Sequence, residues 1–174
     1  RWKGNLLHVG GAFSFRTKPV NTVEPPTKTV SNDGVTSMFP CPLMEATVDR
    51  LGTELKGVFE ILYTAPRFMV QGEYFLNRLN RTERAAYRPQ GGYVQAGVLA
   101  RGRGFAYDDL YSIPGRPGSK QAIELTARFN YTNLNDGRAG IMGGRESDVS
   151  LGANFYLNEY LAVKLNGSYV LVGE

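Results

Sequence analysis

The sequence predicts an all-β fold, an antiparallel transmembrane β-barrel wall. Three observations predict it. Residues 147–172 alternate apolar and polar side chains over about ten positions in each of two arms. Globular strands usually run about five to six residues, whereas a bilayer-spanning strand needs about 9–11. The composition, with 21 Gly and 10 Tyr, is poor in the Ala-Leu-Glu-Lys vocabulary of helices. Aromatic side chains (Phe13, Phe15, Tyr63, Phe68, Tyr74, Phe155, Tyr169) gather near strand ends, as an interfacial girdle requires.

The 147–172 hairpin fixes its own register. Val149, Leu151, Ala153, Phe155 and Leu157 share one face of the first arm; Asp148, Ser150, Gly152, Asn154 and Tyr156 share the other. In the second arm Leu161, Val163, Leu165, Tyr169 and Leu171 alternate with Lys164, Asn166 and Ser168. A three-residue connection at 158–160 sets Phe155 against Val163, Val149 against Tyr169 and Asn154 against Lys164. A two-residue turn would set apolar against polar throughout.

Five further strands precede it. Residues 6–16 put Leu7, Val9, Phe13 and Phe15 on one face, and His8, Gly10, Ala12, Ser14 and Arg16 on the other. Residues 47–63 carry Leu51, Leu55, Phe59, Ile61 and Tyr63 opposite Arg50, Glu54, Lys56 and Glu60. A helical period also fits part of this stretch, but Gly52, Gly57 and the β-branched residues argue for a strand. After a tight turn at 64–67, residues 68–76 return, with Tyr63 expected opposite Phe68 and Lys56 near Glu73. Residues 92–100 set Val94, Ala96 and Val98 against Tyr93, Gln95 and Gly97, with Arg101 continuing the polar face. Residues 122–133 set Ile123, Leu125, Ala127, Phe129 and Tyr131 against Glu124, Thr126, Arg128, Asn130 and Thr132.

The connections at 18–46, 78–91 and 134–146 are expected as long extracellular-type loops, the first with a short strand near 35–39. The tight turns after the second and sixth strands lie at the other end. The stretch 102–121 is also read as a loop, and its length breaks that parity. Its glycines lack the Lys-Ser/Thr of a nucleotide loop, and Asp108-Asp109 lacks the alternating oxygen ligands of a calcium loop.

Composition narrows the function classes. The net charge of +4 is dispersed along the chain, which gives no nucleic-acid footprint. No apolar run approaches the roughly 18 residues of a membrane helix. A mean hydropathy of −0.28 is compatible with a barrel, because only alternate residues face lipid. Cys41, the one cysteine, stands between prolines and is read as a small loop side chain. His8, the one histidine, has no partners at ligand spacing and is read as a polar-face residue. There is no nucleophile elbow and no metal spacing, so neither an enzyme nor a cofactor is expected. Glu60 and Glu73 form a carboxylate pair on neighbouring strands, read as part of a structural ion network with Lys56.

Alternation alone fits a soluble sandwich as well as a membrane wall. Strand length, the aromatic girdle and mid-strand charges favour the wall. Its polar face makes Arg16, Arg50, Glu54, Lys56, Glu60, Glu73, Arg101, Glu124, Arg128 and Lys164 the candidate pore-lining residues. Basic residues there attract anions; cross-strand pairing that merely holds the wall is the competing role.

The segments FMVQGEYF (68–75), GGYVQAGVLARGRGFAYDD (91–109), AIELTARFNYTNLND (122–136) and GGRESDVSLGANFYLN (143–158) resemble, in order and spacing, the C-terminal half of the phosphate-selective porin O/P family of Gram-negative outer membranes. The resemblance implies a barrel of about sixteen strands, of which about seven lie in this chain. It implies a segment 1–174 of one larger barrel domain, in contact with outer-membrane lipid and small anionic or hydrophilic solutes. It also implies a homotrimer or other outer-membrane protein partners. Gln95 and Val98 stand where family members carry Glu and an aromatic residue, so the family's substrate ladder is not expected here.

The leading functional reading is a passive diffusion channel for small hydrophilic solutes, including anions such as phosphate. A structural or docking barrel with an occluded lumen is the alternative. A third reading is a complete small barrel with an eighth strand hidden in 20–39.

Overall fold

The structure, a computed structural model, describes residues 4–17, 26–32, 42–110 and 113–173. Among these residues there are strands and turns and no helix. The strands are β1 (Leu6–Thr17), β2 (Lys28–Asn32), β3 (Met44–Val48), β4 (Leu51–Thr64), β5 (Phe68–Arg81), β6 (Arg84–Tyr87), β7 (Gln90–Arg101), β8 (Phe105–Asp108), β9 (Ile113–Pro117), β10 (Ala122–Asp136), β11 (Ile141–Tyr156) and β12 (Ala162–Gly173).

Seven long strands pair antiparallel in the order β1-β4-β5-β7-β10-β11-β12, with the short β6 against β5. These are the seven expected strands. Each is 12 to 16 residues long, well beyond the usual globular length. The β11–β12 register is the expected one: Phe155 faces Val163, Val149 faces Tyr169 and Asn154 faces Lys164. Leu157 N–H closes the turn on the Leu161 carbonyl at 3.0 Å.

One face of the sheet is apolar and open. Phe13, Phe59, Leu151 and Leu165 are all more than 60% exposed on it. The other face is polar and carries two small cores, one at each end. Both cores exist because a hairpin folds onto that face. At the end of the longer β1–β4 and β5–β7 connections, the β2–β3 hairpin lays Met44, Ala46 and Val48 against Leu79, Tyr87 and Leu134. At the end of the tight turns, the β8–β9 hairpin brings Phe105 against Leu99, Ala122 and Tyr156.

Four expectations are corrected. Residues 47–63 are not one strand: Arg50 adopts φ 52°, which breaks the chain between β3 and β4. Tyr63 faces Val70, not Phe68, because the turn pairs Ala65 with Phe68. The two rings still meet diagonally, with centroids 5.5 Å apart. Residues 134–146 are strand on both sides of a turn at 137–140, and 78–91 holds the end of β5, all of β6 and the start of β7. Residues 102–121 hold the β8–β9 hairpin, which explains the broken loop parity: the extra length folds inward. The expected strand at 35–39, and Cys41, lie outside the described residues. β2 falls within 20–39, yet it pairs with β3 and adds no strand to the wall.

Candidate functional site

The polar face is set by strand alternation, and registers decide which charges meet on it. Arg16 on β1 stands opposite Glu54 on β4. Glu54 is 3% exposed and gathers cations: Lys28 of β2 donates to it at 2.6 Å and Lys56 lies at 3.3 Å. The Asn77 amide donates to the same carboxylate at 3.2 Å. Two lysines thus hold one buried carboxylate, with Arg16 in register across from it, where the β2–β3 hairpin lands. Lys56 is committed there and faces Asn77, so the expected approach to Glu73 is not made.

Glu73 instead faces Glu60. His8 Nε2 lies 3.0 Å from Glu60 Oε1, and the Tyr93 hydroxyl donates to Glu73 at 2.5 Å. The Arg128 guanidinium lies 3.7 Å above the Tyr93 ring and donates to Asn130 at 2.7 Å. Asn130 in turn donates to Asp148 at 2.8 Å. Further along, Glu124 is 5% exposed and accepts hydrogen bonds from Asn154 and Tyr156, each at 2.9 Å. Lys164 is exposed on β12 opposite Asn154.

Two predicted residues leave this face. Arg50 sits at the β3–β4 break and pairs at 2.7 Å with Glu83, beyond the wall strands. Arg101 is redirected by a bulge: Glu124 pairs with Leu99 and Ile123 with Arg101, so Ala100 is the extra residue. That puts Arg101 opposite Ile123 of the apolar face, where it bonds Gln121 at 3.2 Å. The other eight, Arg16, Glu54, Lys56, Glu60, Glu73, Glu124, Arg128 and Lys164, keep the polar face.

Sequence reasoning missed several participants. Asn32 of β2 donates at 2.5 Å to Glu146, a residue expected in a loop. Glu146 and Asp148, 3% and 4% exposed, border a cavity of ≈ 360 Å³ with Arg128, Asn130 and Ser150. His8 Nδ1 lies 2.7 Å from the Tyr107 hydroxyl of β8. Alternation did place Asp148 and His8 on the polar face; nothing local pointed to their partners.

A polar, charge-lined face backed by an open apolar one is the cross-section of a barrel wall. The family model for phosphate-selective porin O and P matches residues 2–173. The chain belongs to the phosphate-selective porin O and P family. Neither a curated protein nor a solved structure matches it. For a porin of this family, the open apolar face is the expected lipid side and the polar face the expected lumen side. Membership also points to a channel protein of the outer membrane rather than an enzyme.

Proposed function

We propose that this porin forms a passive diffusion channel across a Gram-negative outer membrane, for small hydrophilic solutes that include phosphate-sized anions. The observation that carries the reading is the two-faced wall: seven long antiparallel strands with large hydrophobic side chains exposed on one face and charge on the other. Lipid covers the first face and water fills the second. The tight-turn end faces the periplasm, and the end bearing the connections at 18–46, 78–91 and 134–146 faces outward. The eight polar-face charges line the pore. Anions gain most beside Arg16, Lys28 and Lys56, where basic charge exceeds that of Glu54. The assembly we propose is a homotrimer, checked by cross-linking in detergent.

A second reading has a specific support. Both inward hairpins occupy the polar face, as in a barrel whose lumen is occluded and whose role is docking. Planar-bilayer recording of the full-length purified protein separates the two. Discrete conductance steps, with a reversal potential shifted toward anions in a salt gradient, are the expected result. A correctly folded barrel that never conducts overturns the channel.

A further inference from the structure

A second charged locus lies on the polar face, apart from the Glu54 cluster. β10 and β11 pair so that Arg128 faces Ser150, Asn130 faces Asp148 and Thr132 faces Glu146. Same-face neighbours along a strand stand about 7 Å apart. One short row of side chains therefore runs from a guanidinium to two carboxylates. At the far end Asn32 of β2 donates to Glu146 Oε2. These residues border the cavity of ≈ 360 Å³.

The charges in this row are brought near one another and are not paired. Arg128 is held by other groups: its guanidinium lies over the Tyr93 ring, and its Nε–H donates to Asn130 Oδ1. That bond uses one of the five N–H donors of the guanidinium. Asn130 turns its amide N–H to Asp148 Oδ1, to which the Ser150 hydroxyl also donates at 3.2 Å. One oriented amide thus separates the cation from the nearer carboxylate. Among the described residues, Arg128, Glu146 and Asp148 have no ion-pair partner. Yet Glu146 and Asp148 are only 3% and 4% exposed. A buried carboxylate without a cation is costly, and a ligand that brings the missing charge removes that cost. Opposite charges on one cavity wall, kept apart by a fixed amide, are complementary to a solute that carries both charges.

We propose that this cavity is a lumen subsite for small zwitterionic solutes of the α-amino acid class. The solute's ammonium sits against Asp148 and Glu146, and its carboxylate against the Arg128 guanidinium. A simple anion meets the two carboxylates and a simple cation meets the guanidinium, so a solute with one charge is disfavoured on either count. As a solute site the cavity rests on the channel reading, because it names a solute class for the same lumen; binding itself needs no conduction.

Calorimetric titration of the full-length porin in detergent, at neutral pH, tests this with L-alanine, L-alaninamide and N-acetyl-L-alanine. Each derivative lacks one of the two charges. L-Alanine should bind about tenfold more tightly than either, the worth of one charge-assisted contact. Asp148→Asn should abolish the preference over N-acetyl-L-alanine, and Arg128→Gln the preference over L-alaninamide. Variants that weaken all three ligands alike give these residues a merely structural role and overturn the proposal. The ligand series on the wild type decides without any variant: L-alaninamide binding as tightly as L-alanine makes the locus a plain cation site and overturns it. So does the absence of L-alanine binding to a barrel with intact heat-modifiable mobility. Planar-bilayer recording separates the two readings. L-Alanine binding to a porin that never conducts overturns the channel alone, and conduction without L-alanine binding overturns the subsite alone.

Discussion

Glu60 and Glu73 stand directly opposite one another on β4 and β5, and the side chains that hold them are His8 and Tyr93. Like charges in cross-strand register oppose pairing. The porin keeps this arrangement on its polar face, where water screens it.

Neutralising one member should therefore help the fold. Glu73→Gln retains an acceptor for the Tyr93 hydroxyl and removes the facing repulsion. The expected gain is about 0.2–1 kcal/mol, measured as a higher urea midpoint for barrel unfolding in detergent. The reversal potential should move toward anions at the same time. A lower midpoint would mean that the pair is held by a cation bound between the carboxylates, and would reject the repulsion argument.

Glu54 gives the opposite case, a carboxylate whose partners matter more than its charge. Lys28→Met leaves a buried acid with one fewer donor, and removing a partner from a buried charge costs the most. Glu54→Gln strands two lysines that can turn to water, since they are 29% and 47% exposed. Lys28→Met should cost roughly 1–3 kcal/mol and Glu54→Gln about 1 kcal/mol or less. Urea midpoints of the two variants test the order, and a reversed order sinks the account. Glu54→Gln should also raise anion preference by leaving Arg16, Lys28 and Lys56 unopposed.

How much of this was legible follows from what sets each feature. The seven wall strands were readable because lipid on one side and water on the other impose a sharp period of 2. The 149–169 pairing was readable because only one turn length keeps the faces together. Counting parity along the strands misplaces Arg50 and Arg101. A left-handed residue resets the count at Arg50, and a bulge resets it at Ala100. The inward hairpins were hidden for a different reason. β8 and β9 are 4 and 5 residues long, and Pro114 and Pro117 make β9 read as loop. Their contacts are also remote: Tyr107 and His8 are 99 residues apart.

Tyr87 offers a pH test outside the wall strands. It is buried on β6 and donates to the Leu134 carbonyl at 2.8 Å. Burial, then the Asp136 charge, push its hydroxyl up from 10.0 to about 12. The unfolded chain therefore loses this proton first as pH rises. The contribution to stability is complete below pH 10.0 and lost progressively toward about pH 12. Tyr87→Phe should cost about 1 kcal/mol at neutral pH, from the unsatisfied Leu134 carbonyl, and should flatten the alkaline loss. Unfolding midpoints across that window decide it; an equally steep alkaline loss in Tyr87→Phe assigns the effect to another group.

Gly143 tests whether the β2–β3 hairpin is seated on the wall. Gly143-Gly144 reads as loop in sequence, yet it forms an irregularity within the β10–β11 ladder, opposite Leu134, with Gly144 at φ 96°. A Cβ on Gly143 would stand 2.7 Å from that of Ala46, 2.8 Å from that of Leu134 and 3.1 Å from the Glu45 carbonyl oxygen. Two of these atoms belong to β3, so the added methyl pushes the hairpin off the sheet. Gly143→Ala should cost about 1–3 kcal/mol, as overpacking does. If the hairpin narrows the lumen, conductance should rise while the wall stays folded. A smaller conductance, or wild-type stability with wild-type conductance, would mean that the hairpin is not seated where Ala46 meets Gly143.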